Sequence, residues 1–121
     1  MPIIKRFEEL ECWQQARVLV QVTYSLTKKD AFSKDYRLVS QITASAVSSM
    51  ANIAEGFHRS SNKDFMKFLD YARSSIAETI SHTYVALDQE YITSDDMNEL
   101  KQQADLTWKQ INSFISYLSR R

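Results

Sequence analysis

Apolar positions recur three or four residues apart along most of the chain, the spacing of one face of an α-helix. The first such stripe is Cys12, Ala16, Leu19, Thr23 and Leu26. Trp13, Val20 and Tyr24 widen it, and Val18 and Val22 extend it, so burial on more than one side is expected. The second stripe is Leu38, Ile42, Ala46, Met50, Ile53 and Phe57. It runs through a stretch where six of the eight positions from Ala44 to Ala51 are Ala or Ser. Small side chains let another backbone come close, which predicts the most tightly packed helix here. The third stripe is Phe65, Leu69, Ala72, Ile76, Ile80, Tyr84 and Leu87. Phe68 and Tyr71 lie off it, a second apolar face that predicts oligomer contacts. The fourth stripe, Met97, Leu100, Ala104, Trp108, Ile111, Ile115 and Leu118, is close to a heptad.

Boundary signals place the four helices near 7–29, 35–55, 62–90 and 94–119, with no sheet. Glu8, Glu9 and Glu11 suit the positive end of the first helix dipole, and Lys28 and Lys29 its negative end. Ser33 is the expected cap of the second helix. Gly56 suits the left-handed position just past that helix. Ser61 with Asp64 reads as a capping box for the third helix, and Thr93 or Ser94 caps the fourth. A single Gly and a single Pro argue against many tight strand turns. The expected fold is all-α, an antiparallel up-down-up-down four-helix bundle occupying residues 1–121 as one domain.

Charge narrows the functional classes. Fifteen basic and 15 acidic side chains cancel, unlike a strongly basic nucleic-acid-binding domain. Arg59, Lys63 and Lys67 form the best basic cluster and are the candidate nucleic-acid contacts, whereas Asp88 to Glu99 carries acids with no Lys or Arg. No apolar run is long enough to span a bilayer and no secretory signal pattern opens the chain, so a cytoplasmic protein with no membrane association is expected. The single Cys12 fits a reducing compartment and sits on a core stripe. Glu55 and His58 have the Glu-x-x-His spacing of a di-metal bundle once only, and Glu78 and His82 are four apart. No metal, cofactor or catalytic set is expected. A small metal- or ligand-binding enzyme using the bundle interior is the alternative. Arg73 borders the apolar stripe and needs a partner; Asp70 one turn back is nearer in register than Glu55.

An ordered set of motifs covers nearly the whole chain. It comprises Phe7-Glu8-Glu9-Leu10-Glu11-Cys12-Trp13, Gln41-Ile42, Ala46-Val47-Ser48 and Asn52-Ile53-Ala54-Glu55-Gly56-Phe57. Farther on come Phe68-Leu69, Ala72-Arg73, Ala77-Glu78 and Ala86-Leu87-Asp88. The set resembles a bacterial four-helix-bundle family encoded by intervening sequences of large-subunit ribosomal RNA genes, some of whose members carry a ribosomal-protein name. The accessory variability proteins of diversity-generating retroelements are similar. The resemblance implies a non-enzymatic homo-oligomer, a pentamer, serving as an interaction or assembly module for a nucleic-acid, reverse-transcriptase-type or other protein complex. Gln41, Asn52, Glu55, Gly56, Arg73 and Glu78 match the family pattern as structural residues. Thr43-Ala44 stands where members often have a basic pair, and Ser49-Met50-Ala51 where they often have a proline.

Overall fold

The computed structural model describes residues 3–121, so Pro2 lies outside the described residues. Helices form where the stripes lie: α1 (Glu11–Thr27), α2 (Asp30–Ser33), α3 (Tyr36–Phe57), α4 (Asn62–Asp88) and α5 (Ser94–Ser119). A 3-10 turn, Phe7–Glu9, precedes them. The chain is all-α, with no strand among the described residues. Helix α1 packs on α3 and α5, and α4 packs on the same two. Cross-helix contacts pair rising numbers on one helix with falling numbers on its neighbour. Ser45 meets Thr79 and Ser48 meets Ser75 between α3 and α4; Arg73 meets Asn112 and Tyr84 meets Lys101 between α4 and α5. Leu19, Ile42, Ile53, Leu69, Ile76, Leu100 and Ile111 are sealed from solvent between them.

Several boundaries differ from expectation, each for a local reason. The first helix does not start at Phe7. Leu10 is extended (φ −73°, ψ 126°), and the Glu9 carboxylate instead accepts the backbone N–H groups of Lys5 and Arg6. The segment expected as a loop at 30–34 contains α2, which turns Phe32 wholly inward. Asp35, not Ser33, caps α3: its Oδ1 accepts the Leu38 N–H at 3.1 Å. Gly56 is not a left-handed terminator but lies inside α3, and it has no positive φ. Ser61 and Thr93 both cap as expected, and Thr93 and Asp96 complete a reciprocal box; the box expected of Ser61 and Asp64 forms only by half, Ser61 Oγ accepting the Asp64 N–H with no return bond from the Asp64 side chain.

The left-handed position falls at Glu90 (φ 63°) instead. Glu90 N–H donates to Leu87 O and Tyr91 N–H to Ala86 O, both at 2.9 Å, the Schellman closure of α4. A side chain with Cβ is strained there. Glu90→Gly is therefore expected to raise stability by about 0.5–1 kcal/mol, net of the greater freedom of glycine in the unfolded chain. A thermal melt checks this; a lower midpoint in the variant would contradict it.

The fourth helix buries its predicted stripe at Met97, Leu100, Ala104, Ile111 and Leu118. Helix α4 departs from its stripe midway. Tyr84 is 42% exposed, while Thr79, Thr83 and Ala86 take the inward positions. The inward face of α4 is thus lined by small residues where it runs beside α3.

Candidate functional site

The α3–α4 seam is built from small and hydroxyl side chains. A buried serine or threonine can hydrogen-bond a carbonyl one turn back, which lets it enter a core without an orphan group. Ser45, Ser49, Thr79 and Thr83 all do so, to Ile42, Ala46, Ser75 and Thr79 respectively. Across the seam, Ser45 Oγ and Thr79 Oγ1 are 2.8 Å apart. Ser75 Oγ donates to Ser48 Oγ at 3.0 Å, and Asn52 Nδ2 donates to both the carbonyl and the hydroxyl of Ser48. At its end the seam closes on Gly56. A Cβ there would stand 2.8 Å from Phe68 Cβ and 2.9 Å from Phe65 Cδ1.

The outer edge of this seam gathers residues that the sequence separates into two groups. Arg59 donates to Glu55 Oε1 at 2.8 Å, and its guanidinium lies 4.4 Å from the Phe68 ring centre. Phe68 meets Tyr71 edge-on at 5.4 Å, and Tyr71 is 43% exposed. One candidate nucleic-acid residue, Arg59, thus contacts one candidate oligomer-contact residue, Phe68, which in turn meets the other, Tyr71. Lys63 and Lys67 are exposed, with no carboxylate within salt-bridge distance among the described residues. On α3, Ala44, Val47 and Ala51 also face solvent.

The family-pattern residues do not form one network. Asn52 belongs to the seam and Glu55 to the Arg59 cluster. Arg73 donates to Asp70 Oδ1 at 2.6 Å, as its register predicted, and to Asn112 Oδ1 on α5 at 2.9 Å. Its guanidinium also lies 6.0 Å from the Trp108 ring centre. Glu78 Oε2 stands 3.3 Å from His82 Nε2, and Gln41 is exposed on α3. Sequence reasoning missed the α1–α5 tie, in which Gln103 Nε2 donates to the carbonyl and Oε1 of Gln15 and Thr107 shares that carbonyl. It also missed the tie at the far end, where Lys29 meets Asp96 at 2.7 Å and the Tyr91 hydroxyl donates to Asp35 Oδ2. Lys29, then the Thr93 N–H, holds the Asp96 carboxyl below the usual carboxylate range.

Burial pushes the Cys12 thiol up to about 12, so it stays protonated at neutral pH. Among the described residues, no three of His, Cys, Asp and Glu gather closely enough to hold a metal ion. Glu55, the acid of the lone Glu-x-x-His match, is already bonded to Arg59. Among the described residues, no helix is long and apolar enough to cross a membrane.

No curated protein matches this chain. Among solved structures it is similar to a protein of unknown function from the S23 ribosomal protein family of Bacteroides thetaiotaomicron VPI-5482. The two are 25% identical, with a TM-score of 0.71 over 86% of this chain and 94% of that one. The family model described as 23S rRNA-intervening sequence protein matches residues 8–113, so the chain belongs to that family.

Proposed function

We propose that this chain is a non-enzymatic, self-associating interaction module of the cytoplasm. Its four long helices make an up-down-up-down bundle, a reading supported by the opposed residue pairings across the helix contacts. Copies associate through the outer side of the α3–α4 pair. The carrying observation is the Phe68–Tyr71 pair on α4, which leaves Tyr71 43% exposed. An aromatic residue in this setting brings much apolar area with little rotamer freedom to lose. Ala44, Val47 and Ala51 leave room for another copy to come close. Five copies in a ring is the number that the family resemblance implies.

Tyr71→Lys tests the face. It places a charge where the proposal needs a dry contact, while Tyr71 lies outside the core. Light scattering coupled to gel filtration should show the variant shifted toward the 14.1 kDa single chain, with an unchanged helical spectrum. An assembly of unaltered mass would place the contact elsewhere.

A further inference from the structure

Three segments distant in sequence meet at one end of the molecule: the residues before α1, the start of α4 and the last turns of α5. Between them lies a groove of about 820 Å³. One wall is a ladder of rings. Phe114 meets Phe65 edge-on at 5.2 Å, and Tyr117 lies nearly parallel to Phe114, 11° between planes and 5.9 Å between centres. Arg121 continues the ladder, its guanidinium 5.2 Å from the Tyr117 centre and bonded to the Tyr117 hydroxyl. Asn62 and Gln110 add amide groups to the lining. Tyr71 does not line the groove, so it is separate from the proposed self-association face.

Charge converges on the same end. Lys5, Arg6, Lys63, Lys67, Arg120 and Arg121 are all exposed there. Glu8, Glu9, Glu11 and Asp64 offset part of this: Glu9 and Glu11 line the groove itself, and the Lys5 and Arg6 N–H groups hold the Glu9 carboxyl below the usual carboxylate range, so it keeps its charge. The opposite end carries Asp30, Asp35, Asp88, Glu90, Asp95, Asp96 and Glu99 against Lys28, Lys29, Lys34 and Arg37, with Lys29 paired to Asp96. A chain of zero net charge is thus polarised along its length, and such a field steers a polyanion toward the grooved end.

We propose that this groove takes a single-stranded nucleic acid. One base stacks on the Phe114–Tyr117 ladder, and the flanking phosphates lie across Arg121 and Lys63. Stacking suits this wall because every base has a π-face, and a duplex keeps its bases out of reach. The amides of Asn62 and Gln110 supply donors and acceptors for a base edge.

The test is fluorescence anisotropy with labelled oligouridylate and oligothymidylate of about 12 nucleotides, and a duplex of equal length, at about 50 and 200 mM salt. At least one single strand should bind, with affinity falling steeply as salt rises. Preference for the uridylate would add a 2′-hydroxyl contact to the same site. The duplex should bind roughly tenfold or more weaker. Tyr117→Leu should weaken single-strand binding by roughly tenfold with the salt slope unchanged, because stacking is lost and no phosphate contact is. Arg121→Glu with Lys63→Glu, both on exposed side chains, should weaken binding and flatten the slope. Should Tyr117→Leu fail to fold, this charge-reversed pair carries the test. No binding of either single strand at about 50 mM salt would overturn the proposal, as would equal affinity for the duplex. A folded Tyr117→Leu protein that binds normally would overturn it too, leaving charge attraction without a groove.

Discussion

Phe32→Ala is expected to cost about 3–5 kcal/mol, the range for deleting a buried aromatic ring from a packed core. The expectation comes from an element of only four residues. Phe32 is fully buried and stacks on Tyr91, ring centres 5.5 Å apart and planes at 23°. Tyr91 in turn donates to Asp35, the residue that caps α3. Removing the ring therefore leaves a cavity and frees the side chain that ties the start of α3 to the end of α4. Urea unfolding at neutral pH measures the effect. A loss under about 1 kcal/mol would mean that the site collapses without a cavity and that α2 is dispensable to the core. Phe32→Leu should fall between the two, because part of the apolar volume remains.

Gly56→Ala is expected to lower stability by about 1–2 kcal/mol, and its sign separates two accounts of the same glycine. In a helix, alanine outranks glycine by about 1 kcal/mol, so propensity alone predicts a gain. Crowding predicts a loss. The new methyl would meet Phe68 Cβ at 2.8 Å, and that atom moves only if α4 moves. The Phe65 ring, the other neighbour, is wedged against Phe57 and Phe114. Overpacking of this kind costs about 1–3 kcal/mol, enough to outweigh the propensity term. Asparagine sharpens the comparison. A left-handed terminator tolerates Asn better than Ala, whereas a crowded helix contact tolerates it worse. Denaturant midpoints should fall in the order Gly, Ala, Asn. Asn ranking above Ala would restore the terminator account.

These two residues also mark where the sequence stopped being legible. The α5 stripe could be traced from Met97 to Leu118 because its apolar spacing is regular and few polar residues compete. Phe32 could not be assigned to the core, because one ring among Asp30, Ala31, Ser33 and Lys34 has no periodicity to read. Gly56 was misplaced for a related reason. The glycine fitted a helix end in sequence, but its neighbours across the seam, Phe65 and Phe68, come from another helix. The second half of α4 misled in the same way. Ile80 and Tyr84 continue an apolar spacing, yet Thr79 and Thr83 are buried because each satisfies its hydroxyl on its own helix.

The candidate sites divide along the same line. Arg73 with Asp70 was readable, since both lie on one helix, three residues apart. Its second partner, Asn112, was not. Lys63, Lys67, Phe68 and Tyr71 could be named from position on a helix face. The Arg59 stack on Phe68, and the Phe114–Tyr117–Arg121 ladder beside Asn62, depend on which helix ends lie together. No local spacing carries that information.

Self-association is the claim on which the functional reading rests, and the mass of the unmodified protein tests it most directly. Sedimentation equilibrium at micromolar concentration should give a particle several times the 14.1 kDa of one chain, with five copies as the expected number. A single species at 14.1 kDa across that range would contradict the account.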